Sequence, residues 1–258
     1  MRDPDERAAL GRKTEEEMTG AAPQTPATLY QSAWRDFVFS EVWTRPGLDL
    51  RARFLISIAV ASCAQDAARA ALYAKGALAG GHARLTELRE AALHLGVYGG
   101  FTEGGVFDAA VTVAAAGLGL SDEAFPPLRD KPWDPAARLD AGASSFKTVM
   151  TFGGPPPRTA YFEGGILNFV FADMWSRPGL DQRARRWLTL VGVGYSSAKT
   201  PIRSHVWSAL ASGDATADEM LEFVLQFAVH SGWPRASYMQ SVVLEMIEKV
   251  KKGLPFDA

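Results

Sequence analysis

The stretch FVFSEVWTRPGLDLRARF, Phe37 to Phe54, returns as FVFADMWSRPGLDQRARR, Phe169 to Arg186, displaced by 132 residues and identical at twelve of eighteen positions. The same displacement runs without a gap through Gly80–Gly81 against Ser212–Gly213, and through LGVYGGF (Leu95–Phe101) against FAVHSGW (Phe227–Trp233). A gapless register of this length implies equal helix and loop lengths in the two copies. Upstream the register shifts by one residue, so that RAALGRKTEEEM from Arg7 lies against RLDAGASSFKTV from Arg138. The 258 residues therefore divide into a first repeat, 1–120, and a second, 138–258. Between them the segment 121–137, SDEAFPPLRDKPWDPAA, has the four prolines and mixed charge of a linker.

Outside the repeat motif the apolar residues recur at three- and four-residue spacings: Leu55, Ile58, Ala59 and Ser62 in one segment, Leu88, Ala91, Ala92 and Leu95 in another. Strand alternation is not sustained. Asp49 and Asp181, each directly after Pro-Gly-Leu, suit helix N-caps, and Thr86 and Asp218 precede acidic residues suited to a helix start. A proline-rich break follows the first helix of each half, at Thr19–Thr28 and Phe152–Thr159. These signals predict an all-α chain of two tandem helical domains related by internal duplication.

Composition removes several function classes. Lys and Arg number 27 against 29 Asp and Glu, interspersed, so no field favours nucleic acid or anionic lipid. The single cysteine, Cys63, excludes an intramolecular disulfide, a CxxC pair and a cysteine-rich zinc site. The four histidines compose no metal site by spacing, and no cofactor is expected. The charged start MRDPDERAALGRKTEEE is unlike a secretory signal, and the apolar run Phe54 to Ala64 is too short to span a bilayer. A cytoplasmic location and no membrane association are expected.

The pattern FVFxExWxRPGLDxRxR, followed by an apolar helix, a helix ending in Gly and an AVYxGF-like helix end, resembles the carboxymuconolactone decarboxylase family, whose fold is the AhpD-like all-α one. The resemblance covers nearly all of both halves. It implies cofactor-free decarboxylation or isomerisation of a small anionic lactone or enolisable acid by histidine acid–base chemistry. The unsaturated lactone itself is the electron sink. Peroxidase members of the family carry a CxxC pair one turn before a histidine; aligned from His205 those positions are Ala198 and Pro201, and in the first half Asp66 and Arg69, which argues against thiol peroxidase chemistry. Decarboxylase-like members carry Glu directly after the RxR, where this chain has Phe54 and Arg186. The family histidine is His205 in the second half and is replaced by Tyr73 in the first.

His205 and His230 are accordingly the candidate acid–base residues, His230 standing where the first half has Tyr98. Arg183, Arg186, Tyr195, Ser196, Arg203 and Trp207 are the candidates for substrate binding, Arg186 because it inverts the charge of the family's Glu. The repeated pairs Arg51, Arg53 and Arg183, Arg185 equally suit structural ion pairs with Asp49, Asp181, Glu41 or Asp173. Trp43, Trp175, Trp187, Trp207 and Trp233 are expected as core or interface aromatics, and His82 and His94 at the surface. Two other functions are compatible with the departures from the family pattern: a non-catalytic ligand-binding or structural relative, and a biosynthetic tailoring cyclase or isomerase on a larger substrate. Single-domain relatives form trimers or hexamers, so the duplicated chain is expected to be a homotrimer, with Gly105–Leu120 and Ser237–Val250 as candidate contact surfaces.

Overall fold

Asp49 and Asp181 cap the helices that follow them, accepting from the amides of Ala52 and Ala184 at 2.7 and 2.9 Å. From these two caps the element order can be laid out in the computed structural model, which describes residues 2–121, 124–129 and 133–258. In the first half lie α1 (Pro4–Thr19), α2 (Leu29–Ala33), α3 (Trp34–Val42), α4 (Leu50–Cys63), α5 (Ala67–Ala79), α6 (Leu85–Tyr98) and α7 (Phe101–Gly117). In the second lie α8 (Pro135–Met150), α9 (Tyr161–Met174), α10 (Gln182–Ser196), α11 (Lys199–Ala211), α12 (Ala217–Ser231) and α13 (Trp233–Lys251). Every element among the described residues is helical, as the spacing predicts. The α12 start lies slightly upstream of Asp218: Thr216 caps it, in a reciprocal box with Glu219. Part of the expected linker, 122–123 and 130–132, lies outside the described residues.

Helices α3 and α9 are wound as π-helices, and each ends in an i→i−5 bond, from Trp43 to Val38 and from Trp175 to Val170, both 3.0 Å. Their backbones are approached closely by α1 and α8. A Cβ on Gly11 would lie 2.6 Å from the Arg35 carbonyl oxygen, and one on Gly142 would strike the Leu167 carbonyl. Glycine at these two matched positions lets helix backbones touch.

Helices α4 and α10 are buried on all sides, from Ala52 to Ser62 and from Ala184 to Gly194, as befits helices apolar around most of their circumference. They pack on one another, α6 packs on α10, and α12 packs on α4. One apolar cluster runs through both halves. A second cluster, of Phe146, Val149, Met150, Leu167, Phe171 and Trp175, sits between α8 and α9.

The repeated motif builds the seam between the halves. Arg45 forks onto Glu222 at 2.8 Å, and its counterpart Arg177 onto Glu90 at 2.8 and 2.6 Å. Arg51 reaches Asp181 at 2.7 Å, and Arg183 reaches Asp49 at 3.6 Å, each pairing with the helix-capping Asp of the opposite half. Buried Arg53 donates to Gln226 at 2.7 Å, and Gln226 donates on to Ser57 at 2.8 Å. At the matched positions Arg185 faces His94 Nδ1 at 3.4 Å and His94 Nε2 meets Thr189 at 3.0 Å. Of the ion pairs expected of these arginines, Arg51 with Asp181 and Arg183 with Asp49 are present and cross between the halves, whereas Arg53 meets Glu222 at 3.4 Å, Arg185 turns to His94 and the Arg177 carbonyl, and Glu41 and Asp173 pair with Arg7 and Arg138 instead. The expected surface position of His94 is corrected: it is 1 % exposed, because α6 presents it to α10 across this seam. His82 is half-buried against Phe54.

Candidate functional site

His205 is carried by α11 and is 7 % exposed. Its ring meets Tyr98, from the C-terminal turn of α6 in the other half, edge-on at 5.1 Å between centroids. The Tyr98 hydroxyl accepts from the Trp175 indole at 2.8 Å, and Trp175 packs against His94 at 4.9 Å. Arg186, fully buried, donates through Nε to Asp214 at 2.8 Å and through Nη2 to the Val149 carbonyl, while Nη1 has no hydrogen-bond partner. His205 Nδ1 is likewise buried without one. A buried polar atom left unpaired costs stability, and Arg186 is close enough for its charge to act on the His205 ring.

The electrostatics agree with this placement. Burial, reinforced by the Arg186 charge, brings the His205 imidazole down to about 3, so it is neutral at physiological pH. His94 is held well below its usual range by burial and by Arg185. Because arginine only donates, His94 Nδ1 must accept, which leaves Nε2–H to donate to Thr189. Burial pushes the Tyr98 phenol up. The cluster at rest is therefore a neutral imidazole, a neutral phenol and a guanidinium with one free donor.

The positions matched by the 132-residue displacement hold a second cluster. His230, from α12, meets Tyr73, from α5, edge-on at 5.4 Å. Trp43 stacks on Tyr73 at 5.3 Å, and Phe54 takes the position of Arg186. The histidine and tyrosine have exchanged places between the two clusters: His205 corresponds to Tyr73, and His230 to Tyr98. The two candidate histidines are thus not brought together; each faces a tyrosine of the opposite half.

Of the six residues expected to bind substrate, Arg186 is the one whose charge acts on His205. Arg183 holds Glu219 at the seam. Arg203 forks onto Glu245 at 2.6 and 2.7 Å, and Trp207 donates to the Leu254 carbonyl at 2.9 Å, both tying down the C-terminal segment. Tyr195 lies under Arg235 and against Phe227, and Ser196 closes the end of α10 on the Val193 carbonyl. Sequence reasoning missed Tyr98, Trp175, His94 and Thr189 as neighbours of His205. The exchange of His and Tyr between matched positions was the available signal, once the halves are paired face to face. Cys63 is half-buried, and burial pushes its thiol up to about 12, leaving no thiolate at neutral pH.

With this geometry in place, residues 28–116 match the carboxymuconolactone decarboxylase family. The chain is 28 % identical over 93 residues to a 4-carboxymuconolactone decarboxylase of Acinetobacter baylyi, covering 36 % of this chain and 66 % of that protein, a little under two thirds of its length. The matched span of the family contains the first copy of the motif together with Tyr73, His94 and Tyr98.

Proposed function

Residues 28–116 match the carboxymuconolactone decarboxylase family, and on that premise we propose that the chain is a cofactor-independent carbon–carbon lyase or isomerase for a small carboxylate-bearing, enolisable substrate. The observation that carries this reading is the convergence of His205, Tyr98 and Arg186 from two halves, with His205 Nδ1 and Arg186 Nη1 unpartnered. Arg186 would take the substrate carboxylate or the oxygen that becomes an enolate. In decarboxylation the electron pair of the breaking C–C bond passes into the conjugated carbonyl, carbon dioxide leaves, and the carbon then needs a proton. Burial is the larger cause that holds His205 down and the Arg186 charge the lesser; a bound anion would offset the lesser one and, by its own negative charge, favour uptake of the proton that the carbon then needs. The Tyr98 oxygen, already accepting from Trp175, keeps its own O–H for the substrate or for His205.

The two halves are proposed to be diverged copies of one domain, 1–120 and 138–258, the second of which supplies the family histidine. The exposed Phe101, Val113, Trp233 and Leu244 on α7 and α13 support association of the chain, proposed as a homotrimer; light scattering would give three times 27.9 kDa, and a clean monomer would remove this part of the reading.

The activity test uses 4-carboxymuconolactone with the wild type and with H205Q, Y98F and R186M, following absorbance and released carbon dioxide. Loss of a general acid is expected to lower turnover by about 10²–10⁴ in H205Q with thermal unfolding unchanged within a few degrees. Wild-type turnover that survives in H205Q would transfer the chemistry away from this cluster, and a flat wild-type trace would refute the decarboxylase substrate.

A further inference from the structure

The first half contains a cavity of about 660 Å³ bounded by α1, the proline-rich loop after it, α2, α3 and the first turns of α5. Its walls include Glu15, Thr28, Tyr30, Trp34, Asp66 and Arg69. The matched positions in the second half are Phe146 for Glu15, Phe162 for Tyr30, Ile166 for Trp34, Ala198 for Asp66 and Pro201 for Arg69. There the space is filled: Phe146 packs on Phe171, Phe152 and Phe162 at 4.6 to 6.2 Å. The fold therefore closes this space with phenylalanines when it needs nothing there. The first half keeps it open and lines it with charge and aromatic rings.

Two features of the lining describe an occupant. The Arg69 guanidinium lies 3.7 Å over the Trp34 ring, with Asp66 taking its Nε at 2.9 Å, so a cation is held out at the cavity wall on an aromatic platform. Tyr30 is 66 % exposed at the rim. Behind Trp34, 5.3 Å away and outside the lining of the cavity, sits His230 facing the completely buried Tyr73.

We propose that this cavity is a second ligand site, separate from the His205 cluster, that takes a planar aromatic carboxylic acid of two or three fused rings. The acid pairs with Arg69, which Trp34 and Asp66 hold in place, and the ring system lies against Tyr30 at the rim. The size argues for more than one ring, since cavities of 300–1,000 Å³ suit ligands much larger than a single lactone. The site does not depend on the decarboxylase reading, and it opens the larger-substrate chemistry that a diverged copy of the domain could serve.

The probe is 1-hydroxy-2-naphthoate, titrated by its fluorescence into the full chain. Saturation at one equivalent is expected, with R69Q and W34L each weakening it at least tenfold, R69K retaining part of the affinity, and H205Q unchanged. Hydrogen exchange should slow on binding in residues 20–31. Replacing the probe by 2-naphthol, which lacks the carboxylate, should cost a similar factor. Absence of saturable binding, equal affinity in R69Q and W34L, or loss of binding in H205Q would each overturn the proposal. If R69Q proves unstable, the ordering of R69K and W34L against wild type decides it.

Discussion

His94 and Gln226 occupy matched positions and perform one task with different groups. Each bridges a buried arginine to a hydroxyl across the seam, Gln226 between Arg53 and Ser57, His94 between Arg185 and Thr189. H94Q should therefore fold normally, with a urea midpoint corresponding to a change within about 1 kcal/mol, whereas H94L strands Arg185 and Thr189 and should cost roughly 2–3 kcal/mol. If H94L is as stable as H94Q, the bridge is not what holds this part of the seam. His205 gives a pH prediction with a definite sign. Its folded value is about 3, and the unfolded chain titrates near 6.5, so the unfolded state binds the proton first as pH falls. The stability is fully present above pH 6.5 and is lost progressively below it, by about 2 kcal/mol at pH 5 for this one group. The depressed carboxylates Asp181, Asp214, Glu219 and Glu222 act in the same direction but begin only near their unfolded values, about 4 to 4.5. Urea midpoints of wild type and H205Q measured between pH 7 and 5 should diverge in slope, the variant being flatter; parallel slopes would mean His205 is solvated.

Among the elements, Gly192 decides how closely α10 can approach the end of α6. A Cβ there would lie 2.7 Å from the Tyr98 carbonyl carbon and 2.9 Å from the Gly99 nitrogen. G192A should push Tyr98 away from Trp175 and His205, lowering stability by about 1–3 kcal/mol and lowering turnover on 4-carboxymuconolactone together with it. G105A on exposed α7, where an added methyl meets nothing, should instead stabilise by up to about 1 kcal/mol. Denaturation of the two variants side by side checks both signs. At this scale the sequence was informative about the helices because their causes are local: the Pro-Gly-Leu-Asp caps, the proline breaks and the apolar spacing all act within a turn or two. For His205 the sequence offers the family pattern alone, and its role stays a proposal. What it could not convey was which side chains come to face His205, since Tyr98 is 107 positions away and arrives only through the pairing of α6 with α10. The repeated arginines were legible as ion-pairing residues, but a sequence offers no means to tell pairing within a half from pairing across it. His94 was misplaced for the same reason: a polar residue on an amphipathic helix is solvated by default unless another domain covers that face.

At the scale of the whole molecule, the matched contacts across the seam support the proposal that the two halves pair like the copies of a dimer, and on that reading the seam specifies which halves can pair. Apolar packing runs continuously through both, and α4 and α10 pack on one another, so either half alone exposes a helix that is otherwise buried on all sides together with its buried arginine. In principle each half could pair with a copy of itself, because the motif is self-complementary: Arg45 with Glu90, Arg51 with Asp49 and Arg53 with His94 in the first, Arg177 with Glu222, Arg183 with Asp181 and Arg185 with Gln226 in the second. The position of Gly192 breaks this equivalence. Its counterpart in the first half is Val60, completely buried. A first-half homodimer would drive Val60 into the Tyr98 backbone, where even a single Cβ lacks room. A second-half homodimer would set Gly192 against the His230 end of α12, without that clash. Residues 1–121 expressed alone should therefore be aggregated or unfolded, and 133–258 alone should sediment as a dimer. An equimolar mixture of the two should form a 1:1 complex in preference to either. V60G should release the first half to dimerise. Sedimentation of the four samples tests the argument, and a stable, folded dimer of 1–121 with Val60 in place would show that the seam does not discriminate between the halves.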